Sequence, residues 1–580
     1  MASFWQLIKR HWAIWLVIAL SAPAKLIAAI NMPWDIDIVP VVERNVQYVL
    51  TPIGTLSSVA AYNLPMLEWI HLPAQWLTGN VWWTIVLTLM VFNALGTLAV
   101  YALSIDLFDD TRAALVSAVF FTLSEVGVSS TYTAWAQLLL PTYFALVTLC
   151  LWWWYQREQG IWLALAGILA TAAFMTHFSA LLLYPAMLVF ALLVRAKWQW
   201  GWLIAGAVGV LLLMMPYLQV QIERDFVDVR AFASQEVLVS DEVMASVQQY
   251  KPENQIFAEP AEIVPEPAPE VTIPEAQPTP DVAPNEPRPR WLRVVDYALE
   301  APLWYLRAMT TAFDFNLQGI AGVHPTLGML ATWLLQMTVL LYGVSIGLAV
   351  WQVVRDWRTE KTSLLTILRE TPAGRLIVLV IFLTTMIVLM IATRTIDNPT
   401  YWMGFMSVQW VMTSYALSLL PDTRNMLTVF IAIILTYGGI QSADRILRVV
   451  QHDDSVFSFY NVGLYRHVSD TAEYIAEDWS AENDADSLVV SYDILRENPN
   501  FWWVVAWNSI DDSYRIGMTF DFLLSYHHGL YNTNRNPVGI AEDDNAPDYI
   551  VIYSPALERY TLDDYEVTQF GTIVVLEPRE

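Results

Sequence analysis

Long apolar runs recur along this chain of 580 residues and decide what it can fold into. Many of the runs are about 18–25 residues long, the length that a helix needs to cross a lipid bilayer. We count about eleven of them, at roughly 12–31, 82–103, 113–130, 136–154, 161–176, 178–194, 202–220, 326–354, 376–393, 406–420 and 425–442. Only 15% of the residues are charged, fewer than in a soluble protein of this size. The pattern predicts an all-α polytopic membrane bundle.

The basic residues predict how the bundle is oriented. Lys9 and Arg10 precede the first run, which lacks a small-residue cleavage site and is therefore expected to remain as a helix. Short loops on that same side carry Arg112, Arg157, Arg195, Lys197, Arg355, Arg358, Lys361, Arg369, Arg375 and Arg424. The positive-inside rule then predicts a cytoplasmic N-terminus, and an odd number of spans predicts an external C-terminus.

Three segments are predicted to lie on the extracytoplasmic side. The first is the loop 32–81, whose amphipathic stretch "AAYNLPMLEWIHLPAQWL" is expected at the membrane interface. The second is 221–325, whose Pro- and Glu-rich part 252–289 is predicted to be a disordered tether. The third is the tail 455–580, in which a helical stretch and several strand-like runs predict a small α/β domain. The chain is thus divided into a transmembrane domain, 1–450, and an extracytoplasmic domain, 455–580.

Composition excludes several classes of function. The net charge is −26 and the acidic excess falls on the external side, so nucleic acid is not an expected partner. Cys150 is the one cysteine, which excludes disulfides and cysteine-based metal sites within the chain. No phosphate loop, zinc pattern or nucleophile elbow occurs in the tail.

Polar residues gather where the predicted spans end on the external side. They are Asp35, Asp37 and Arg44 in the first loop, Glu125 and Gln137 beside the next hairpin, His177 between two spans, and Arg394 and Tyr401. Taken singly, each has an ordinary interpretation as a loop charge, an interface residue or a snorkelling anchor. Taken together, they suit chemistry at the membrane surface. A carboxylate can act as general base on an acceptor hydroxyl, and an arginine can stabilise a phosphate leaving group.

Several stretches in order resemble one family. They are "WDIDIVPVVERNVQYVLTPIGTLSS", "YNLPMLEWI", "DLFDDTRAALVSAVFFTLS", "YTAWAQLLLPTYFALVTLCLWWW" and "GIWLALAGILATAAFMTHFSALLLYPAMLVF". Together they resemble the multi-pass GT-C glycosyltransferases, in particular the bacterial branch related to protein O-mannosyltransferases and aminoarabinose transferases. The resemblance covers roughly 10–220 well and 290–442 loosely. It implies a GT-C bundle with an external domain at its C-terminus.

The resemblance also implies roles for particular residues. Asp35 takes the first position of the family's acidic pair and is the implied general base, while Ile36 replaces the second acid and Asp37 follows as the alternative base. Gln137, or Glu125 in its place, fills the region of a further acidic residue. Arg394, before Tyr401, resembles the region that contacts the lipid phosphate, and His177 is expected to line the site.

The predicted function is transfer of a hexosyl or pentosyl group from a polyprenyl-phosphate donor to an acceptor hydroxyl. The reaction would occur at the outer face of the cytoplasmic membrane and would invert the configuration of the sugar. The acceptor is left open among protein, lipid and glycan. No cofactor is required by this chemistry, and a divalent cation remains an open alternative. Two other classes also remain open: an inactive GT-C-like scaffold or binding protein, and a transporter of a lipid-linked substrate.

Overall fold

The structure is a computed structural model of the whole chain. It describes residues 11–30, 33–35, 50–52, 54, 64–124, 127, 128, 130, 131, 135–194, 197–234, 301, 302, 305, 325–360, 362–392, 403–419, 461–482, 488–493, 524, 547–553, 557, 560–570 and 573–579. The predicted tether 252–289 and the predicted span 425–442 lie outside these residues.

The first half of the described chain is a series of helices joined by short turns. In order they are α1 Trp12–Ile30, α2 Met66–Thr78, α3 Val81–Phe108, α4 Thr111–Leu123, α5 Ala136–Arg157, α6 Gly160–Thr176, α7 Leu183–Val194, α8 Trp200–Glu223 and α9 Val227–Ser234. A short strand, β1, follows α1 at Pro33–Asp35, and a 3₁₀ turn precedes α7 at Phe178–Leu182. The closest packing joins α3 to α4, α5 to α6, and α6 to α8, which is separated from α6 by α7 in the sequence.

Local capping explains where these helices begin and end. The side chain of Asn80 accepts a hydrogen bond from the backbone N–H of Trp83 and so caps α3. Asp110 caps α4 by accepting from the backbone N–H groups of Arg112 and Ala113. Gly79 ends α2 with a φ of 57°, a left-handed conformation that glycine adopts without a steric penalty.

The second half of the bundle places a short helix at its centre. The helices are α10 Pro325–Glu360, α11 Leu364–Glu370, α12 Pro372–Ala392, α13 Met406–Thr413 and the single turn α14 Tyr415–Ser418. Every residue of α13 is buried, because α13 packs against α3, α4, α5 and α10. Trp410 stacks on Phe120 with ring centroids 4.5 Å apart. The two halves of the chain therefore share one core.

The apolar helices fit a membrane bundle, but the count of eleven spans is not confirmed. Within the described residues, five helices are long and apolar enough to cross a membrane: Trp82–Phe108, Ala136–Arg157, Trp200–Glu223, Thr338–Thr359 and Pro372–Ala392. Four shorter apolar helices accompany them. The predicted span 113–130 ends earlier, at Leu123, because Ser124 leaves the helical conformation and its hydroxyl accepts from the N–H of Gly127.

The C-terminal part combines one helix with a small sheet. Helix α15, Tyr465–Glu482, follows strand β2, Asn461–Leu464. The sheet has the order β3-β4-β6-β5, built from Val490–Asp493, Tyr549–Tyr553, Ile573–Pro578 and Tyr565–Phe570. β3 and β4 are parallel and the other pairs are antiparallel. Helix α15 packs on β5 and β6, as the predicted α/β arrangement requires.

One pairing ties the start of the first loop to this C-terminal part. Strand β1 pairs with β2 in antiparallel register, with Pro33 opposite Leu464 and Asp35 opposite Asn461. The backbone of Asp35 is thus held at the junction between the end of α1 and the beginning of α15.

Candidate functional site

Two of the predicted site residues meet at the ends of neighbouring helices. The side-chain nitrogen Nε2 of Gln137, in the first turn of α5, lies 3.3 Å from Nε2 of His177, which follows the last residue of α6. Nδ1 of His177 lies 2.8 Å from the hydroxyl of Ser179. A neutral imidazole has one acceptor and one donor nitrogen, so it can accept from Gln137 and donate to Ser179. Burial lowers the pKa of His177 to about 4, which keeps the ring neutral at pH 7.

A cleft opens beside this pair. Its volume is about 10 Å³, room for about one water molecule. Its polar lining includes Asn93, Ser124, Ser130 and Thr142, and Trp410 contributes to the apolar side. Leu138, the neighbour of Gln137, also lines it. The cleft is therefore bounded by α3, by α5, by α13 and by the hairpin that follows α4, the region where the sequence predicted a site.

A buried lysine supports the polar wall of the cleft. Lys25 of α1 is 4% exposed, and its ammonium donates to Oδ1 of Asn93 and to the hydroxyl of Thr122. The amide nitrogen of Asn93 in turn donates to the carbonyl of Gly127 at 3.0 Å and to the hydroxyl of Ser130 at 3.2 Å. Lys25 forms no ion pair with a carboxylate among the described residues. An ionisable group buried inside a membrane bundle is costly, and such groups commonly mark functional sites.

Helix α2 buries a polar stripe beside apolar residues. Glu68, His71 and Gln75 are 1%, 0% and 0% exposed, while Trp76 is 59% exposed. Their spacing puts the three on one face, and α2 packs against α3 and α6. Gln75 accepts from the hydroxyl of Thr84 at 2.5 Å. Burial lowers the pKa of His71 to about 4, against a hydrogen bond with the Leu67 carbonyl that raises it.

The remaining predicted site residues are only partly located. The backbone of Asp35 is placed by β1. Asp37, Arg44, Glu125, Arg394 and Tyr401 lie outside the described residues. Glu125 follows Ser124, a residue of the cleft lining. Their joint action with Gln137 and His177 stays a prediction.

The structure also identifies residues that the sequence reasoning missed. Lys25 and Asn93 are polar residues inside apolar runs, and a polar residue in such a run is a sequence signal for a buried polar site. The polar stripe of α2 was visible as Glu68, His71 and Gln75 at helical spacing, although the stretch was interpreted only as an interfacial helix. Within the described part of the chain, no group of three His, Cys, Asp or Glu side chains converges as a metal site would require.

Comparison with known proteins assigns the segment that builds the cleft. Residues 62–219 match the model of the dolichyl-phosphate-mannose-protein mannosyltransferase family. The chain carries a glycosyltransferase domain of this family. The mannosyltransferase-family domain contains helices α2 to α7 and most of α8, and therefore Asn93, Gln137 and His177. The expected relationship to this glycosyltransferase family is confirmed, and with its apolar helices the chain is a multi-pass membrane protein.

Solved structures support the fold around this domain. The apo structure of ArnT from Cupriavidus metallidurans is similar with a TM-score of 0.50 and 12% identity, covering 99% of this chain and 98% of that one. The structure of the same protein bound to undecaprenyl phosphate has a TM-score of 0.49 and 11% identity, with coverage of 99% and 98%. At this identity the likeness to the apo structure concerns the fold alone. No curated protein sequence matches the chain.

Proposed function

We propose that this protein transfers a hexosyl or pentosyl group from a polyprenyl-phosphate donor to an acceptor hydroxyl at the outer face of the cytoplasmic membrane. The observation that carries the proposal is that the mannosyltransferase-family match covers α3, α5 and the chain after α4, which form most of the cleft lining, together with both members of the Gln137–His177 pair. The name of the family states its donor, mannose on dolichyl phosphate, and dolichyl phosphate is a polyprenyl phosphate. A donor of that kind resides in the bilayer, so the enzyme has to bind its sugar at the membrane surface, where the helices end.

The proposed reaction is a single displacement. Asp35, or Asp37 in its place, removes the proton of the acceptor hydroxyl. The acceptor oxygen forms a bond to the anomeric carbon while the bond from that carbon to the phosphate oxygen breaks. Polyprenyl phosphate leaves with the electron pair, and the configuration of the sugar is inverted. Pairing of β1 with β2 supports this role for Asp35, because it fixes the backbone of that residue beside the outer end of α1.

The other residues are assigned to substrate binding. Arg394 and Arg44 would neutralise the leaving phosphate, since guanidinium groups bind phosphate oxygens in a bidentate manner. Tyr401 and Glu125 would complete the site. The amide of Gln137, held by its hydrogen bond to the neutral His177, offers its remaining hydrogen bonds to sugar hydroxyls without adding charge.

Lys25 has a positioning role in this proposal. Its ammonium holds Oδ1 of Asn93, which turns the amide nitrogen of Asn93 toward the hairpin that bears Glu125. We place the N-terminus in the cytoplasm and the domain 455–580 outside, in agreement with the basic short loops.

A donor-turnover assay tests the proposal. Membranes containing the full chain would be supplied with radiolabelled polyprenyl-phosphate sugars, and release of label from the lipid would be compared for wild type, Asp35→Asn and Asp37→Asn. Asp564→Asn is the matched control, because Asp564 is exposed and lies far along the chain in the C-terminal part. We expect wild type and the control to consume donor and at least one of the two variants to fail. If wild type consumes no donor although it binds the lipid, the scaffold interpretation replaces the enzyme.

A further inference from the structure

Two arginines lie at the end of the bundle opposite the cleft and stack on two neighbouring aromatic rings. We call these rings, Trp152 and Tyr155, the aromatic step. Arg369 ends α11 and Arg375 lies in the first turn of α12. The guanidinium carbon of Arg369 lies 5.6 Å from the ring centroid of Tyr155, and that of Arg375 lies 5.6 Å from the ring centroid of Trp152. The two rings are neighbours, with centroids 5.4 Å apart. We call Arg369 and Arg375 the arginine pair.

A tight corner between α11 and α12 fixes the arginine pair. The backbone N–H of Thr371 donates to the carbonyl of Ile367, and the hydroxyl of Thr371 accepts from the N–H of Gly374 at 3.0 Å. Gly374 has no room for a side chain, because a Cβ there would meet the backbone of Ile367 and Leu368. The two guanidinium groups are thus presented by a rigid turn rather than by a loop.

The hydrogen-bonding capacity of the arginine pair is largely unused. Arg375 donates to the backbone carbonyls of Asp106 and Leu107, each at 3.4 Å, and its Nε is buried without an acceptor. The guanidinium of Arg369 donates to no residue in the described ranges, and its Nε is also buried without an acceptor. Both arginines are half-buried, so their accessible guanidinium N–H groups, rather than the buried Nε atoms, can donate to an acceptor from outside the chain.

Among the described residues, the nearby carboxylates form no ion pair with the arginine pair. Asp106 uses its carboxylate to accept from the indole N–H of Trp153 at 2.5 Å. Glu370 is exposed and forms no ion pair within the described part of the chain. Other basic residues on this side differ, because Arg112 pairs with Asp110 at 3.0 Å.

The position in the membrane indicates the class of ligand. The arginine pair lies where α3 and α5 end and α12 begins, the side from which the basic short loops project. Trp and Tyr side chains concentrate at the headgroup level of a bilayer. Basic pockets between helices at this level bind anionic headgroups, and arginine suits the planar geometry of a phosphate. The N-terminus of α12 adds the positive end of its dipole.

We infer that the arginine pair, on the aromatic step of Trp152 and Tyr155, binds the phosphodiester of an anionic phospholipid. The headgroup phosphate accepts from guanidinium N–H groups for which the described residues provide no acceptor, and the two rings contact the glycerol part of the lipid. This site lies at the other end of the bundle from the candidate transfer site and does not depend on the proposed function.

A lipid-binding experiment tests the inference. The full chain would be placed in nanodiscs of phosphatidylcholine with or without a minor fraction of phosphatidylglycerol, and retained phosphatidylglycerol would be counted by native mass spectrometry alongside the Tm. Arg369→Gln is the main variant, because the Arg369 guanidinium donates no hydrogen bond to the described part of the chain, so the substitution removes none of those contacts. The double variant Arg369→Gln with Arg375→Gln follows. Arg358→Gln is the matched control, since Arg358 is exposed on the same side and lies away from the aromatic step.

We expect phosphatidylglycerol to raise the Tm of wild type and of Arg358→Gln. The double variant is expected to bind it about tenfold or more weakly, and Arg369→Gln to lie between. Equal binding by wild type and Arg369→Gln would overturn the inference, as would an equal loss in Arg358→Gln. The source of the phosphate is tested in detergent. If inorganic phosphate alone raises the Tm as much as phosphatidylglycerol, the ligand is a free anion and the lipid assignment fails.

Discussion

The ammonium of Lys25 donates a hydrogen bond to the hydroxyl of Thr122, 2.5 Å away, inside the helical bundle. Two neutral acceptors, Thr122 and Asn93, hold this group, and Lys25 has no carboxylate partner in the described part of the chain. Burial of a cation costs several kcal/mol, and hydrogen bonds to a charged group return about 1.5–3 kcal/mol each. The two effects nearly cancel, so stability alone does not account for a lysine at this position.

Lys25→Met is therefore expected to change the Tm little while lowering donor turnover at least tenfold. The reason is that Met removes both the desolvation cost and the hydrogen bonds, but leaves Oδ1 of Asn93 with the Thr122 hydroxyl, 3.1 Å away, as its one donor among the described residues. Turnover and Tm would be measured on the same preparation. Lys197→Met is the control, because the Lys197 ammonium is 74% exposed in its ion pair with Glu158. A large fall in Tm for Lys25→Met would instead make the ammonium a structural element.

Gly96→Ala is expected to destabilise the bundle by about 1–3 kcal/mol, the range for overpacked cores. A Cβ at this position would lie 2.5 Å from the hydroxyl oxygen of Thr142 and 2.6 Å from the ring of Phe121. Both neighbours also line the cleft, so cleft shape should change with stability. The Tm of Gly96→Ala would be compared with the Tm of Gly343→Ala, a position where an added Cβ meets nothing within 4 Å. Similar Tm values for the two variants would contradict the close helix approach.

The stability of the protein is expected to fall as the pH drops from 6.5 toward 4. Burial lowers the pKa of His71 to about 4, so in this window the unfolded chain binds a proton that the folded chain does not. Stability therefore rises with pH across the window. His71→Gln is expected to flatten this part of the Tm-against-pH curve, measured in a non-titrating detergent. An unchanged slope would mean that His71 is not buried as a neutral ring.

Gln137 and His177 are expected to act on turnover as a unit. In a double-mutant cycle with Gln137→Leu and His177→Leu, the coupling energy from kcat/KM is expected to fall in the range of about 0.5–3 kcal/mol. The physical reason is the shared hydrogen bond, which either substitution removes. Additive effects would place the two residues in separate roles.

Much of the bundle is predictable from the sequence because membrane spanning is a local property of length and hydropathy. The predicted span 161–176 agrees closely with α6, Gly160–Thr176. The end of the predicted span 113–130 was wrong because Ser124, the first residue of the largely polar stretch "SEVGVSS", already turns the chain. Strand β5 was missed because it lies at the edge of its sheet and carries no fully buried residue, so its apolar signal is weak.

The site is less predictable because its contacts join distant parts of the chain. The proximity of Gln137 and His177 followed from the ends of adjacent spans, and the structure brings the two together. The partners of Lys25 lie 68 and 97 residues away, on helices whose relative rotation no local pattern specifies. The buried stripe of α2 was hidden for a related reason. Its burial depends on packing against α3 and α6, and hydropathy assigns such residues to the solvent.

The most direct test of sugar transfer is the anomeric configuration of the product. The full chain would be reconstituted in nanodiscs with a polyprenyl-phosphate sugar of known configuration and an acceptor alcohol, and the glycoside would be examined by NMR. Single displacement predicts a product of inverted configuration, formed together with one free polyprenyl phosphate per sugar transferred. A product of retained configuration would contradict the single-displacement mechanism, and the absence of any donor consumption by the wild type would contradict transfer itself.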